Sequence, residues 1–179
     1  MSRQVIAGLL LILLVSCATG GEMPGISGLP EDAHPGNGLS NTRASVDELC
    51  REVLALVAQK NRNALEALAL TEDEVKEYIW PYDEHSRPEV NMPFAFWWGD
   101  LHKRSSFRLT QTLQKFGGKK FELVSVRFGE DSMHYHNAIV HRDTRLTVRD
   151  EEGREWDVEL FGSIVELNGQ YKIFSYIYK

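Results

Sequence analysis

The first half of the chain has the hydrophobic pattern of helices. Between residues 45 and 116, large apolar side chains recur every three or four positions, which is the period of a helix with one buried face. Ser45 and Thr71 are each followed three residues later by a glutamate, a pattern typical of helix starts. The pattern predicts four helices, of which the last is the longest and ends near Phe116. They begin near Ser45, Ala64, Thr71 and Met92.

From Phe121 onward the hydrophobic period changes to two, which is the period of a β-strand. Polar segments separate the stretches that have this period, and this favours consecutive antiparallel strands. The strands are expected within residues 121–128, 133–149, 156–167 and 171–178.

Two local sequence signals predict where the sheet bends and where it has a tight turn. The alternation changes phase at Phe161–Gly162, which indicates a β-bulge where the sheet bends. Asn168–Gly169 is a strong signal for a tight hairpin. The whole pattern predicts an α+β domain, in which N-terminal helices pack on a strongly bent antiparallel sheet of about four strands.

The N-terminus has a pattern of its own. Arg3 is followed by the aliphatic run Val5–Leu14, which is too short to span a bilayer and fits the apolar region of a signal peptide. The run ends in Leu14–Cys17, which resembles the lipobox of bacterial lipoproteins. The resemblance implies that residues 1–16 are removed as a signal peptide and that Cys17 is diacylated and becomes the new N-terminus.

The residues after the lipobox predict a linker and then one folded domain. Residues 17–44 are rich in Gly, Pro, Ser and Asn and have few large apolar side chains, so we expect a flexible tether. Residues 45–179 form the predicted α+β domain. The chain is 42% hydrophobic and 26% charged, which is ordinary for a globular domain.

Charge and the predicted acylation together indicate where the protein lies. The net charge of −6 argues against nucleic acid as a partner, because nucleic-acid binding needs clustered basic surface. The expected partner is membrane lipid, reached through acylated Cys17. Ala18 follows the cysteine, and by analogy with enteric lipoproteins this favours the outer membrane. We therefore expect a lipid anchor in the bacterial cell envelope, at the outer membrane and facing the periplasm.

The C-terminal segments 156–162 and 169–173 resemble the last two strands of the nuclear-transport-factor-two-like, or cystatin-like, superfamily. The resemblance covers roughly residues 45–179 and implies a sheet bent into a cone behind N-terminal helices. The superfamily contains dehydratases, isomerases, hydrolases and members that only bind, so it does not assign a function. Many members pair through the outer face of the sheet. A homodimer is therefore one alternative, and a sheet covered on both faces by its own chain is the other.

The predicted cone gives a set of candidate site residues. Asp100 or His102 on the longest helix is a candidate general base if that helix lines an apolar pocket. The alternative is that the neighbouring tryptophans are core anchors, that Asp100 pairs with Lys103 or Arg104, and that His102 lies at the surface. The residues expected to line a pocket are Trp97, Trp98, Trp156 and Tyr176.

Two further groups of polar residues have simple explanations. His134 and His136 lie on one face of a strand, but His141 has the opposite parity and a metal site needs a third ligand. We expect no metal and no cofactor, and His136 stays a weak acid–base candidate. The recurrent arginines between residues 142 and 154 alternate with acidic residues, which favours cross-strand ion pairs on a solvated face.

The sequence as a whole favours an envelope lipoprotein whose domain is a non-enzymatic binding or accessory module. It does not identify the ligand. One alternative is a small enzyme that uses Asp100, His102 or His136 as an acid or base. Another alternative is a scaffold that pairs through its sheet.

Overall fold

A computed structural model describes residues 38–178. The predicted signal peptide, the acylation at Cys17 and residues 17–37 of the predicted tether lie outside this part of the chain. Within residues 38–178, no helix is long and apolar enough to cross a membrane.

The four predicted helices are present, and the first three begin at side-chain caps. The Ser45 side chain accepts a hydrogen bond from the backbone N–H of Glu48, at 3.2 Å. Thr71 and Glu74 form a complete capping box, in which each side chain accepts a hydrogen bond from the other's backbone N–H. Two short 3-10 helices, Trp80–Tyr82 and Glu84–Ser86, join the third helix to the fourth. The helices are α1 (Val46–Ala58), α2 (Arg62–Ala67), α3 (Glu72–Tyr78) and α4 (Phe94–Phe116).

The strands form two antiparallel sheets, which confirms the α+β class. The first sheet has the order β1-β4-β5 and the second has the order β2-β3-β6-β7. Residues 38–178 contain seven strands: β1 (Glu122–Arg127), β2 (Ser132–Tyr135), β3 (Ala138–His141), β4 (Arg145–Arg149), β5 (Glu155–Val158), β6 (Ser163–Leu167) and β7 (Gln170–Ser175).

The prediction of about four strands is three short of the observed seven. One extra strand arises because segment 156–167 contains both β5 and β6, and the other two arise because two turns carry no glycine or proline. The segment 133–149 contains parts of three strands. His136 and Asp143 adopt the left-handed conformation, with φ of 49° and 50°, and they end β2 and separate β3 from β4. Histidine and aspartate are among the residues that enter this region more readily than most. The alternation of apolar residues therefore continues through two changes of direction.

The core consists of two apolar clusters. The first joins the buried faces of α1 and α2, the C-terminal half of α4 and residues from both sheets. The second lies under α3 and the N-terminal end of α4, against β2, β3 and β6. The outer edge of β7 is covered by the chain itself, through bridges from Arg43 to Tyr171 and from Ala69 to Ile173.

Gly162 lies where the chain passes from the first sheet to the second. Its N–H donates to the carbonyl of Ser175 at 3.2 Å, and its own carbonyl accepts from the N–H of Thr144 at 3.0 Å. A Cβ at this position would lie 1.6 Å from the carbonyl oxygen of Ile177. The predicted phase change at Phe161–Gly162 thus marks a change of sheet, and the irregularity in strand pairing lies next to it, between Ser163 and Ile164.

A buried ion pair ties the start of the described chain to the second sheet. Lys172 Nζ lies 2.8 Å from Glu74 Oε2, and the two side chains are 0% and 9% exposed. The N–H and the hydroxyl of Ser40 donate to Glu74 Oε1 at 2.7 and 2.8 Å. Burial alone would raise the pKa of Glu74, but hydrogen bonds from Lys172, Thr71 and Ser40 outweigh it and hold this pKa below its ordinary value. Ser40, which lies within the predicted 17–44 tether, therefore contacts the folded domain.

We predict that Gly162→Ala destabilises the protein by about 1–3 kcal/mol or more, because the new methyl group collides with backbone that cannot move without breaking the hydrogen bonds of Gly162. The measurement is urea unfolding followed by circular dichroism. Gly99→Ala is the matched control, since a Cβ at Gly99 meets nothing within 4 Å and alanine favours a helix. Equal stability of the two variants would contradict the role of Gly162.

We predict that Lys172→Met costs about 3–5 kcal/mol at neutral pH, because it leaves the Glu74 carboxylate buried without its cation. A lowered pKa contributes stability above the unfolded value of about 4.3, and this contribution is lost as the pH falls through the folded value. In the variant, burial still raises the pKa of Glu74, and the lysine no longer opposes this effect. Its deficit relative to the original chain should therefore shrink below about pH 4.

Urea unfolding between pH 3 and pH 7 measures this effect. Lys76→Met is the control, because Lys76 pairs with Glu72 at 3.8 Å on an exposed face of α3. Such an exposed pair contributes about 0–1 kcal/mol. A Lys172→Met deficit that is small, or that stays constant with pH, would contradict the proposed importance of the buried pair.

Candidate functional site

The two tryptophans of α4 pack into the second core cluster and do not line a groove between the sheets. Trp97 and Trp98 are half-buried against this cluster. The Trp97 ring lies 5.4 Å from that of Trp80, and Trp80 lies 5.3 Å from Phe94. This arrangement matches the alternative in which the tryptophans are core anchors.

The three candidate acid–base residues lie apart from one another on the surface. Asp100 accepts a hydrogen bond from Arg104 Nη1 at 3.2 Å, as an exposed i,i+4 pair. The exposed His102 ring lies 5.4 Å from that of Trp98. The His136 ring stacks on Tyr82 at 5.2 Å. The structure brings none of these three side chains into a common site.

A cluster that the sequence pattern did not indicate surrounds Asp83. This carboxyl is 5% exposed, contacts His85 Nδ1 at 2.6 Å and accepts from the hydroxyl of Tyr135 at 3.1 Å. Burial and the Asp83 charge raise the pKa of Tyr135. The cluster fixes the short helices before α4 against β2. Its polar groups are directed at one another, so they fit a structural role.

A groove lies on the first sheet, where β1, β4 and β5 meet the C-terminal segment. It has a volume of about 500 Å³, and an adjoining depression of about 460 Å³ shares four of its lining residues. We call the two together the Arg145 groove. The four shared residues are Arg145, Asp157, Glu159 and Tyr178.

The register of the first sheet places two arginines side by side in this groove. Arg127 on β1 lies directly opposite Arg145 on β4. Like charges in this position repel, and carboxylates from the β5 side offset the repulsion. Arg127 contacts Asp157, and Arg145 Nε lies 3.1 Å from Glu159 Oε1. Both guanidinium groups are therefore already paired. The predicted ion pairs of the arginines between residues 142 and 154 included Arg145 but not Arg127.

Asp157, on β5, lines the groove and also bonds to the neighbouring strand β4. The hydroxyl of Thr147 donates to Asp157 Oδ1 at 2.8 Å. This hydrogen bond has the largest effect on the pKa of Asp157 and lowers it. Desolvation opposes it, and the neighbouring Arg127 and Arg145 lower the pKa further, so the net shift is downward. The carboxylate therefore stays ionised across the physiological range, and it pairs with Arg127.

Aromatic side chains form the walls of the Arg145 groove. Trp156 is 40% exposed, and its ring packs against Phe116 and Phe121 at 6.5 and 5.7 Å. Tyr178 lies under the guanidinium of Arg108, which is 5.3 Å from the centre of the ring. Of the four residues expected to line a pocket, Trp156 lines this groove.

Tyr176, the fourth of these residues, is a core residue. It is 2% exposed, and its hydroxyl donates to the carbonyl of Leu65 at 2.6 Å. Burial raises its pKa, with a smaller contribution from Glu66. Tyr176 thus anchors the end of the chain, and Tyr178, two residues later, reaches the groove.

Residues 38–178 contain no cluster of side chains that could hold a metal ion and no reactive thiol. Within residues 38–178, no three His, Cys, Asp or Glu side chains are grouped so that they could hold a metal ion. Cys50 is completely buried in α1, and burial, with a smaller effect of Asp47, raises its pKa to about 12. A thiol in this state is unreactive.

The chain matches no protein-family model, no curated protein and no solved structure. The Arg145 groove is therefore identified by its geometry alone. Its residues come from the end of α4, from β1, β4 and β5 and from the C-terminus, and they are up to 63 residues apart in the sequence, from Lys115 to Tyr178. In the sequence, the recurrent arginines and Trp156 were the signals that could have indicated this groove. The register that brings them together was not readable from their spacing.

Proposed function

We propose that this protein is a lipid-anchored lipoprotein of the bacterial envelope whose domain is a non-enzymatic binding or accessory module. The Arg145 groove is its binding surface. The observation that carries the binding role is the combination of an open groove with half-exposed aromatic walls and a floor of paired charges. Aromatic rings give contact area at little entropic cost, and the fixed charges orient a ligand.

The geometry favours binding over acid–base catalysis. A general base needs a position beside a bound substrate and a pKa matched to its task. Asp100, His102 and His136 lie on separate parts of the surface, outside the Arg145 groove. Asp157 and Glu159, which do line it, are held as carboxylate partners of arginines. These contacts favour a static recognition surface.

The pairing of the groove charges also limits the ligand. A strongly anionic ligand would have to displace Asp157 or Glu159 from the arginines, and a strongly cationic one would have to displace the arginines. A polar ligand with balanced charge can instead use the unfilled hydrogen-bonding positions of both. We therefore infer a polar ligand of low net charge that stacks on Trp156 or Tyr178.

The anchor and the fold family are parts of the same proposal. Leu14–Cys17 supports diacylation of Cys17, and two acyl chains give stable membrane attachment where one gives marginal binding. The long helix α4 packed with two antiparallel sheets supports membership of the nuclear-transport-factor-two-like superfamily. We place the domain at the outer membrane, on the periplasmic side, because Ala18 follows the cysteine.

Native mass spectrometry of the full chain, purified from bacterial envelopes in mild detergent, tests both parts. The expected mass is that of a chain beginning at diacylated Cys17, together with a bound ligand. In the Arg145→Ala variant, the fraction of molecules that carry the ligand should fall at least tenfold. The substitution removes the cation that pairs with Glu159, and with it a side chain that lines the groove. Arg51→Ala is the control, since Arg51 forms an exposed pair with Asp47 on α1.

This experiment distinguishes a failure of the proposed lipid anchor from a failure of the proposed binding surface. A chain that keeps Met1 and carries no acyl groups would contradict the anchor. An acylated chain that retains no ligand, or that retains it equally well after Arg145→Ala, would contradict the groove as the binding surface.

A further inference from the structure

The strand β5 has an open edge in the Arg145 groove. The first sheet has the order β1-β4-β5, so β5 pairs with β4 on one side and with no other strand of residues 38–178 on the other. Residues 156–159, at the end of β5 and directly after it, all line one of the two depressions of the groove. Neighbouring side chains of a strand point to opposite faces, so a depression lined by four consecutive residues follows the edge of the strand.

The hydrogen bonds of the β4–β5 hairpin determine which backbone groups face the open edge. The N–H of Asp150 donates to the carbonyl of Arg154 at 3.0 Å, and the register of β4 with β5 then runs without a shift. In an antiparallel pair, hydrogen-bonded positions alternate with positions whose backbone groups point away from the partner. The N–H and C=O groups of Glu155 and Asp157 therefore point away from β4, and those of Trp156 bond to it. The outward groups have no backbone partner within residues 38–178.

Carboxylates lie outermost on the polar face of this edge. Glu155 and Asp157 on β5, and Glu159 directly after it, each pair with an arginine of β4 or β1. These arginines lie on the side of β4, away from the open edge, and the three acidic side chains are still 47%, 47% and 31% exposed. A carboxylate has about four acceptor positions. Each can therefore accept a hydrogen bond from a basic or hydroxyl side chain on an added strand and keep its arginine.

The other face of the edge is apolar. Trp156 points to the face opposite Asp157, where its ring packs against Phe116 at 6.5 Å and stays 40% exposed. A strand added beside β5 would place alternate side chains next to this ring and next to the carboxylates. The edge therefore selects an extended chain in which apolar residues alternate with basic or hydroxyl residues.

A second copy of β5 does not fit this edge. Two β5 strands related by a two-fold axis would pair antiparallel, and residues of the same face would then lie opposite one another. The carboxylates of Glu155, Asp157 and Glu159 in one copy would face those of the other. Like charges in this position repel, and the arginines would lie one strand further away on each side.

We propose that the open edge of β5 binds an extended peptide segment of a partner protein as an added strand. One face of this segment is apolar and lies against Trp156, and the other carries a few basic or hydroxyl side chains that meet the carboxylates. Glu155 and Asp157 contribute their outward N–H and C=O groups as the backbone hydrogen bonds of the added strand. This inference rests on the proposed function of the Arg145 groove and names the chemical class of its ligand.

Amide exchange measured by nuclear magnetic resonance on the full, processed protein in mild detergent tests this proposal. The probe is a capped eight-residue peptide that repeats the sequence lysine-valine-threonine-valine twice. Saturating peptide should slow the exchange of the Glu155 and Asp157 amides at least tenfold and leave that of Trp156 unchanged, because only the first two N–H groups gain partners. The same peptide with every backbone nitrogen methylated, or with glutamate in place of lysine, should bind at least tenfold more weakly.

Two variants at one position separate the backbone contact from the charge. Glu155→Pro removes the outward N–H, and proline is tolerated on an edge strand where its nitrogen faces solvent. Glu155→Gln keeps this N–H, and both variants lack the carboxylate, so their difference reports the backbone hydrogen bond. Glu155→Pro should bind the probe at least tenfold more weakly than Glu155→Gln, and circular dichroism checks that both are folded.

The outcomes distinguish this inference from the proposed function. A ligand of the native protein that is lost in Arg145→Ala but kept equally by Glu155→Pro and Glu155→Gln would leave the groove as the binding surface and overturn the added strand. Absence of probe binding up to about 1 mM, or binding that leaves exchange at Glu155 and Asp157 unchanged, would also overturn it. A dimer in which these two amides already exchange slowly without peptide would show that a second copy covers the edge, and would overturn it too.

Discussion

The close approach of Gly162 to the C-terminal segment is the constraint on which the rest of the domain depends. With the carbonyl of Ile177 only 1.6 Å from where a Cβ would be, no other residue fits. The same residue forms backbone hydrogen bonds with Thr144, immediately before β4 of the first sheet, and with Ser175 at the end of β7 in the second. A single glycine therefore joins the two sheets and positions the segment that follows β7.

The position of the Arg145 groove follows from this junction. Gly162 and Tyr178 both line the groove, and Tyr178 reaches it because the chain leaves β7 directly over Gly162. Tyr176 fixes the same segment from inside the core through its hydrogen bond to Leu65. The buried pair of Lys172 and Glu74 holds the chain at Ser40. Both ends of the described domain are thus held by short-range polar contacts.

The sequence was sufficient for features that depend on local pattern. The helix α4 was predicted because its period persists over 23 residues, and the capping box at Thr71 because its two partners are three residues apart. The sequence was insufficient for features that depend on contacts between residues far apart in the chain. His136 and Asp143 turn the chain without glycine, so two of the three missed strands lie in segment 133–149, and the third was missed because the change of sheet at Gly162 divides segment 156–167. Arg127, Arg145 and Asp157 become neighbours only through strand register, so the groove was missed, and Trp97 and Trp98 were placed in a pocket that the core occupies.

The central claim is that the domain binds its partner at the groove beside the Gly162 junction, and site-specific photocrosslinking in intact bacteria tests it most directly. A photoreactive amino acid replaces Trp156 in the full chain, and a second variant carries it at His102, an exposed position outside the groove. The account predicts a discrete adduct from position 156, lost when Arg145→Ala is added, and none of the same mass from position 102. The same adduct from both positions, or an adduct from position 102 alone, would contradict it.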